Sequence, residues 1–431
     1  MHIYFSGIGG TGIGPLSLVA NEAGYTVSGS DKQDSGYIKN LRASGITAIH
    51  IGQDYESMAA VHAKNPIDWY VYSSAVAIEQ PDAPELRFCR DHNIKMTKRD
   101  DFINHILAEK NLKLLAVAGT HGKTTTTAMA IWLCQQLGIP VSYSVGAKLS
   151  FGPMGTYQPG AEYFIYEADE FDRNFLAFHP AVSIITGIDW DHPDIYPTRA
   201  AYNQAFEQFL GQSEQVVAWQ SDITRLGVTT DSTAQVLSDT EPLLNLLSIP
   251  GEVNRRDAVA VIAAVQKLTD KPQDLLIEIM NKFPGLSRRF EQIAPHLYTD
   301  YAHTPPKIRG ALQLAHELAG KHVAVVYEGL HNTRQHFIHD ELVNLFEGVA
   351  ALYIVPSYLA REDETLQVLS PEDLKAGMSE TVQAYTTPSQ LNDDLKHAIT
   401  QQIANGNTVV CLTAGGGDSL DEWLRQSFKL D

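Results

Sequence analysis

The chain has 431 residues, enough for two to four domains at roughly 150 residues each, and its 44% hydrophobic and 19% charged residues are typical of a folded protein. Its 51 acidic residues outnumber 32 basic ones, and the net charge of −19 argues against nucleic-acid or anionic-membrane partners. Three widely spaced cysteines without C-x-x-C spacing, and no signal-peptide pattern, predict a cytoplasmic protein without a disulfide framework or a structural zinc site.

The first predicted elements form a β-turn-α-β unit. An apolar strand at 2–6 leads into the turn Gly7-Ile8-Gly9-Gly10-Thr11-Gly12, a helical pattern, and a second strand that ends near Asp31. A Gly-x-Gly-x-x-Gly turn with an acid 24 residues after Gly7 is typical of doubly wound domains that bind a pyrophosphate and a ribose. The turn therefore predicts a nucleotide site, the alternative being a glycine-rich turn that serves helix packing.

A second glycine-rich loop follows the polar patch 109–111, where we place a domain boundary. The loop Gly-Thr-His-Gly-Lys-Thr-Thr at 119–125 lies between an apolar strand at 112–118 and a helical pattern. Backbone N–H groups at such a helix start cradle phosphates, Lys123 would reach the β and γ phosphates, and the Thr124 hydroxyl would bind Mg²⁺. Val117 stands where the strict Walker pattern has glycine, so the loop is a shortened variant.

Acidic residues follow the next two predicted strands. Glu167-Ala168-Asp169-Glu170 comes after the strand 163–166, and Asp191-His192 comes after the strand 181–188. A hard cation that bridges phosphates takes oxygen ligands, and a carboxylate at a strand end near the phosphate loop commonly supplies one. Taken alone, Asp191-His192 is more typical of a helix cap or a surface pair.

A third unit begins after the connector 283–287, with strands predicted at 323–327, 352–355 and 408–412. The predicted fold is α/β with three domains: a Rossmann-like N-terminal domain (1–108), a central P-loop ATPase-type domain (109–292) and a Rossmann-like C-terminal domain (293–431). Arginine pairs in an acidic protein suggest anion contacts, although most such pairs are solvated surface. The polar clusters that stand out are 254–257, 288–290, 300–305 and 331–334.

Together these motifs resemble the Mur ligase family of peptidoglycan synthesis, ATP-dependent amide ligases with three α/β domains. The likeness covers nearly the whole chain, and its motifs occur in family order. The segment 118–126 is similar to the family's phosphate loop, 167–170 and 191–192 to its metal-binding segments, 288–290 to its interdomain segment, and 300–305 to the opening of its last domain.

The resemblance implies a role for each matching residue. Lys123, Glu167 and His192 would be the catalytic residues, and Thr124, Glu167 and His192 would hold Mg²⁺ or Mn²⁺. ATP would be bound by Gly119, Thr120, His121, Gly122, Lys123, Thr124, Thr125, Asn254, Arg289, Asp300 and His303. The UDP-sugar would be bound by Gly7, Gly9, Gly10, Thr11, Gly12, Asp31, Ser73 and Ser74. Arg334 would lie on the side of the incoming amine.

Within the family, the amino-terminal segment is most similar to members that join L-alanine to UDP-N-acetylmuramate. Members that attach a recycled L-Ala-γ-D-Glu-diaminopimelate tripeptide share nearly all of these residues and remain the alternative. The resemblance implies that ATP converts the sugar carboxylate into an acyl phosphate, which the amine attacks with release of ADP and phosphate.

The chain also departs from the family pattern. Val253-Asn254-x-x-Asp257 replaces the usual His-Asn-x-x-Asn, and Gly187 stands where asparagine is common. The segment 213–251 is short, which predicts a trimmed central domain. Near the position of the carbamylated lysine of some relatives the chain has Glu207, a candidate carboxylate stand-in.

Two functions from other classes compete with a ligase. An NAD-dependent nucleotide-sugar dehydrogenase would account for Gly7 to Gly12 and Asp31, but it would leave the loop at Gly119 unexplained. A non-enzymatic ATP switch would account for that loop, and it would hydrolyse ATP regardless of UDP-sugars and amino acids.

Overall fold

The computed structural model describes the chain except for residues 74, 75, 77–81, 193, 194, 229–232, 360, 361, 364, 414–418 and 429–431. The protein is α/β with three sheets, as predicted. The chain forms two compact units, the first comprising 1–247 and 256–284 and the second 248–255 and 285–431. The first two sheets belong to the first unit and the third sheet to the second. The domain limits at 108 and 292 stay predictions.

The first sheet has five parallel strands in the order β3-β2-β1-β4-β5. The strands are β1 (His2–Ser6), β2 (Thr26–Asp31), β3 (Ile49–Ile51), β4 (Trp69–Tyr72) and β5 (Lys95–Lys98). The helices are α1 (Gly14–Glu22), α2 (Gly36–Ala43), α3 (Tyr55–Lys64), α4 (Pro84–Asp91) and α5 (Arg99–Glu109). The order reverses between β1 and β4, so the glycine turn after β1 lies at the switch point where such sheets bind ligands.

The second sheet has seven strands in the order β12-β11-β10-β6-β9-β7-β8, parallel except for β8 against β7. The strands are β6 (Lys113–Ala118), β7 (Val141–Ser144), β8 (Gly155–Thr156), β9 (Tyr163–Glu167), β10 (Val182–Ile185), β11 (Val216–Trp219) and β12 (Ala234–Leu237). The α-helices are α6 (Lys123–Gln136), α7 (Arg199–Gly211), α8 (Gln220–Leu226), α9 (Glu252–Val265) and α10 (Gln273–Met280), with 3₁₀ helices at Phe171–Ala177 and Pro242–Leu246.

Strand β10 is shorter than the predicted strand 181–188. Gly187 has a φ of +150°, a backbone conformation that L side chains rarely adopt, and its carbonyl accepts the Thr120 N–H at 2.7 Å. The strand therefore ends early, because its continuation bonds to the phosphate loop.

The third sheet has six strands in the order β13-β14-β18-β15-β16-β17, with β13 antiparallel to β14. The strands are β13 (Glu291–Ala294), β14 (Leu297–Asp300), β15 (Val323–Leu330), β16 (Ala351–Tyr358), β17 (Thr386–Pro388) and β18 (Thr408–Leu412). The helices are α11 (Pro305–Ala319), α12 (Asn332–Leu342), α13 (Pro371–Ala376), α14 (Glu380–Gln383), α15 (Asp393–Ala404) and α16 (Leu420–Ser427).

One hydrophobic core cluster runs through both sheets of the first unit. It includes Phe5 of β1, Phe102 of α5, Ala116 of β6 and Phe164 of β9, all fully buried. This shared core fixes the glycine turn of the first sheet relative to the phosphate loop of the second. Among the helices described, none has the length and apolarity needed to cross a membrane.

Candidate active site

The phosphate loop occupies the turn between β6 and α6, as the sequence predicts. Gly119 (φ +148°) and Gly122 (φ +79°) both have backbone conformations that favour glycine, and a side chain at Gly119 would collide with Thr186 and Gly187. Gly122 is the N-cap of α6, whose first-turn N–H groups have no partner within the helix. The loop therefore offers N–H groups and the positive end of a helix dipole to an anion.

The loop is held by hydrogen bonds to the segment that follows β10. Thr120 Oγ1 donates to Asp189 O at 2.6 Å and lies 2.7 Å from the Tyr202 hydroxyl, while the Thr186 hydroxyl donates to the His121 carbonyl. A side chain at Gly187 would collide with the His121 ring. The space that a side chain at position 187 would need is thus occupied by the His121 ring.

Lys123 folds back over the loop. Its Nζ donates to Gly119 O at 2.6 Å and to Glu170 Oε2 at 2.5 Å, and the Glu170 side chain is 1% exposed. Burial lowers the pKa of Lys123, but the carboxylates of Glu170, Asp169 and Glu167 outweigh it and raise that pKa above its ordinary value. The ammonium is therefore charged at neutral pH. The sequence did not single out Glu170 as its partner.

The Thr124 hydroxyl and the Glu167 carboxylate lie together at the ends of neighbouring elements. Thr124 Oγ1 donates to Glu167 Oε1 at 3.0 Å, so two of the three residues predicted to bind Mg²⁺ are in contact. Both are oxygen donors of the kind that Mg²⁺ prefers, so these two residues fit the ion. Thr125, one position further into α6, is partly exposed.

His192 faces a different carboxylate. Its Nε2 lies 3.8 Å from Glu170 Oε1 and 3.9 Å from Asp191 Oδ2, and its ring meets Phe171 edge-on at 5.1 Å. Within the described part of the chain, no group of three or more His, Cys, Asp or Glu side chains is arranged to hold a metal. The structure thus pairs His192 with Lys123 through Glu170, and its assignment as a metal ligand stays a prediction.

Asp257 lies against the phosphate loop from α9. A β-carbon at Gly122 would lie 2.8 Å from Asp257 Oδ2, and the Asp257 side chain is buried. Burial raises the pKa of Asp257 well above its ordinary value. Asp257, which stands where the family usually has asparagine, therefore places a carboxyl group next to Gly122 of the loop. Glu207, by contrast, lies exposed on α7.

The glycine turn of the first sheet is closed by Asp31. Gly9 N–H donates to Asp31 Oδ2 at 2.8 Å, and the N–H groups of Gly7 and Ile8 both donate to Ser30 O. Gly10 N–H donates to Gly7 O at 2.9 Å, while Gly10 and Thr11 are exposed. Asp31 therefore shapes the turn, and its predicted contact with a ribose stays a prediction.

Ser73 and Ser74 follow β4, the strand next to β1. Ser73 is half-buried, and Ser74 lies outside the described residues.

Glu85, which no sequence motif marks, links strands β1, β2 and β4 through hydrogen bonds to their side chains. Its buried carboxylate accepts hydrogen bonds from four hydroxyl groups, those of Tyr4, Ser6, Ser30 and Tyr70.

A cavity of about 130 Å³ lies between the glycine turn and the segment 167–170, whose Glu167 contacts Thr124 of the phosphate loop. Thr11 and Gly12 of the glycine turn line one side, and Glu167 and Asp169 line the other. Arg99, at the start of α5, also lines it, and its Nη2 donates to Asp169 Oδ2 at 3.2 Å. No sequence motif points to Arg99, because its partner lies 70 residues further along the chain.

The second unit holds the remaining predicted site residues. Burial raises the pKa of Asp300, at the end of β14, to about 6, although the positive charge of Arg289 acts to lower that pKa. Burial also lowers the pKa of His303 well below its ordinary value, with Lys307, Arg334 and Arg289 acting in the same direction. Asn254 Nδ2 donates to Pro250 O at 2.9 Å. The unit therefore gathers cationic groups around His303.

Several of these segments contain non-glycine residues in the left-handed region. Arg288, Phe290 and His331 flank predicted residues of the second unit, and His192 is itself such a residue. Each such conformation costs roughly 1–2 kcal/mol and persists only where the surrounding structure enforces it. These four positions therefore combine backbone strain with a place in or beside a predicted site segment, whereas Asn93, Asn111 and His296 have positive φ outside such segments.

Three family models match the chain in order. They are the Mur ligase family catalytic domain at residues 2–111, the Mur ligase middle domain at 117–238, and the Mur ligase glutamate ligase domain at 288–416.

Curated relatives match over nearly their full length. The chain is 28% identical to a UDP-N-acetylmuramate–L-alanine ligase from Renibacterium salmoninarum, over 96% of this chain and 93% of the relative. It is 29% identical to the protein of the same name from Clostridium beijerinckii, over 96% and 95%.

Solved structures show the same fold. The UDP-N-acetylmuramate–alanine ligase of Thermotoga maritima matches with a TM-score of 0.74 at 24% identity, over 99% of this chain and 98% of that one. A murein peptide ligase of Psychrobacter arcticus matches with a TM-score of 0.65 at 20% identity, over 100% and 99%. With models of all three domains matched in order along most of its length, the chain belongs to the Mur ligase family, the ATP-dependent ligases of peptidoglycan synthesis.

Proposed function

We propose that the protein joins L-alanine to UDP-N-acetylmuramate, with ATP as the energy source, in the cytoplasm. One observation carries the proposal: in a single compact unit, a glycine turn suited to a pyrophosphate lines the same cavity as Glu167, whose carboxylate accepts a hydrogen bond from Thr124 of a phosphate loop suited to ATP. The name shared by the curated relatives supports this choice of substrates. Membership of a ligase family decides against the dehydrogenase and ATP-switch alternatives.

The reaction needs an activated acid, because a carboxylate is a poor electrophile for an amine. A carboxylate oxygen of the sugar acid attacks the γ-phosphorus of ATP, the bond between the β-γ bridging oxygen and the γ-phosphorus breaks, and ADP leaves. The amine nitrogen then attacks the carbonyl carbon of the acyl phosphate, inorganic phosphate leaves, and the nitrogen loses a proton. No protein nucleophile is required.

The residues of the chain neutralise and position charge in this scheme. Lys123, charged at neutral pH, would exchange Glu170 for the β and γ phosphates, and the amides at the start of α6 would hold them in place. Thr124 and Glu167 would hold Mg²⁺, which when bound withdraws charge from the phosphate oxygens. Two anionic substrates could then approach each other across the cavity.

The second unit would serve the nucleotide and the amine. Asn254, Arg289, Asp300 and His303 are proposed to contact ATP, and Arg334 to face the amine. Burial keeps His303 neutral near pH 7, so in this scheme it can accept a hydrogen bond, which a protonated imidazole could not.

Phosphate release tests the proposal. The purified protein is incubated with ATP, Mg²⁺ and UDP-N-acetylmuramate, and L-alanine, other single amino acids and L-Ala-γ-D-Glu-diaminopimelate are compared as acceptors. L-Alanine should support phosphate release and a product heavier by one alanine residue. If only the tripeptide supports release, the protein is instead a murein tripeptide ligase of cell-wall recycling. If no amine does, the proposed substrates are wrong.

A further inference from the structure

Arg99 stands between the glycine turn of the first sheet and the segment 167–170. It is the first residue of α5, and a side chain at Gly12 of the glycine turn would collide with its Nη1 atom. On its other side, Nη2 donates to Asp169 Oδ2 at 3.2 Å. One guanidinium group therefore touches both walls of the cavity.

The charges of the cavity make this position unusual. Of the described residues that line it, Glu167 and Asp169 are acidic and Arg99 alone is basic. An acid that enters between two carboxylates is repelled by both unless a fixed cation receives it. Arg99 is placed to be that cation, and Lys123 lies beyond Glu167 and Asp169 on the phosphate loop.

Arg99 has donors left for a ligand. A guanidinium carries five N–H donors, and the hydrogen bond to Asp169 uses one of them. The Nε atom is buried without a hydrogen-bond partner among the described residues, and Asp100 Oδ1 lies 3.8 Å from it. The planar fork of arginine matches a carboxylate in a two-point contact, which lysine cannot make.

We propose that Arg99 binds the carboxylate of the sugar acid and holds it in the cavity for attack on ATP. This inference deepens the proposed function and rests on it. The pyrophosphate of the same substrate offers similar oxygen atoms, but the cavity extends from Arg99 to Glu167, which contacts Thr124 of the phosphate loop. The carboxylate, not the pyrophosphate, must reach that end. Asp169 occupies Arg99 until the acid arrives.

Binding without ATP tests the inference. Calorimetry compares UDP-N-acetylmuramate with UDP-N-acetylglucosamine, which lacks the carboxylate but keeps the pyrophosphate. Arg99→Gln should weaken binding of the first ligand by about 10-fold or more and leave the second within about twofold, because charge-assisted contacts are lost only for the acid. Arg99→Lys, which keeps the charge but not the fork, should lie between.

Other outcomes overturn the inference. Equal losses for both ligands would assign Arg99 to the pyrophosphate, and unchanged binding of both would leave it no role in binding. Arg90→Gln, which removes an exposed arginine of α4 paired with Asp82, is the matched control and should change neither affinity. If the unaltered protein does not bind UDP-N-acetylmuramate, the proposed function fails as well, a result distinct from the failure of Arg99 alone.

A second variant separates substrate binding from a structural bridge. Asp169→Asn releases Arg99 from its charged partner, so affinity for UDP-N-acetylmuramate should stay the same or increase. If Arg99 served only to link α5 to the 167–170 segment, Asp169→Asn and Arg99→Gln would weaken binding alike. A loss of affinity with Arg99→Gln but not with Asp169→Asn supports the inference, and losses with both variants contradict it. Thermal melting of each variant reports whether it is folded.

Discussion

At the scale of single residues, the polar and charged side chains around the phosphate loop are paired with one another. Lys123 and His192 both face the carboxylate of Glu170, while Thr124 is bonded to Glu167. Removing one partner of a buried charge pair leaves the other uncompensated, which is costly. Each variant at these positions therefore needs a separate measurement showing that it is folded.

Replacing Lys123 with alanine should lower kcat/KM by about 10²–10³-fold or more, because a fixed positive charge on the transferred phosphate is lost. Steady-state phosphate release measures this, and circular dichroism should show an intact fold. Lys113→Ala removes an exposed lysine that pairs with Glu162 at the start of β6, and it should leave activity near normal. Near-normal turnover of the Lys123 variant would contradict the phosphate-loop assignment.

Glu167→Gln and His192→Ala test the predicted metal ligands separately. If both hold Mg²⁺, each should raise the Mg²⁺ concentration for half-maximal activity by about 10-fold or more, as loss of a ligand or its support commonly does. Activity is measured across a Mg²⁺ titration at fixed ATP. Glu162→Gln, at an exposed carboxylate, is the control. An unchanged Mg²⁺ dependence in both variants would show that the metal assignment is wrong.

Asp257 makes the first unit sensitive to pH. Its pKa is raised in the folded protein, so the stability associated with the neutral carboxyl is present below its ordinary pKa of about 4 and is lost as pH rises toward the folded pKa. Asparagine cannot ionise and nearly matches its shape. Asp257→Asn should therefore lose less thermal stability than the unaltered protein between about pH 5 and about pH 8.

Thermal melting at several pH values checks the Asp257 prediction. Asp82→Asn, at a carboxylate that is 91% exposed in the same unit, should melt in parallel with the unaltered protein at every pH. Identical pH profiles for Asp257→Asn and the unaltered protein would show that Asp257 is ionised in the fold.

At the scale of elements, helix α5 connects the two sheets of the first unit. Phe102 on this helix is fully buried and meets the rings of Phe5 and Trp69 edge-on at 5.3 Å and 5.8 Å. The same helix begins with Arg99 at the cavity. Packing of its apolar face thus sets the position of a polar residue at its first turn.

Phe102→Ala should destabilise the first unit by about 3–5 kcal/mol, the usual cost of removing a buried phenyl ring. Urea unfolding followed by fluorescence measures the change. Ile51→Ala on β3, where the side chain is 44% exposed, should change stability by about 0.5 kcal/mol or less. A loss below about 1 kcal/mol for Phe102→Ala would mean that the surrounding core closes over the gap.

The elements also show what could be predicted from sequence. The loop 119–125 could be predicted because all its chemistry lies in seven consecutive residues between a strand and a helix. Of the four residues 167–170, sequence could not tell which acid faces Lys123, because the turn after β9 decides it. Arg99 and Glu85 escaped prediction because their partners are distant in sequence and meet only in the folded sheet.

At the scale of the whole molecule, a chain with a net charge of −19 is proposed to bind two strongly anionic substrates. Arg99, Lys123 and the helix N-termini supply positive potential over a few ångströms, whereas the field of the whole protein is screened beyond about 8 Å at physiological salt. Local groups would therefore decide the binding of the proposed substrates, not the overall charge.

If local groups decide substrate binding, kcat/KM should depend only weakly on salt concentration. Raising KCl from about 50 to about 200 mM should change kcat/KM for ATP by less than about threefold, because contacts in a half-buried site are screened less than long-range repulsion. Steady-state kinetics at constant free Mg²⁺ measure the effect. A rise of kcat/KM by tenfold or more with salt would show that the global negative field does repel the substrates.

The bond between Lys123 and Glu170 means that the phosphate loop without ATP already contains its own counterion. In the proposed mechanism, the arrival of ATP is therefore an ion exchange in which a phosphate replaces a carboxylate at Lys123. The same carboxylate is covalently tethered a few ångströms away, at a high effective concentration, and would compete for Lys123 at every turnover. That competition would lower the affinity for ATP and help ADP to leave.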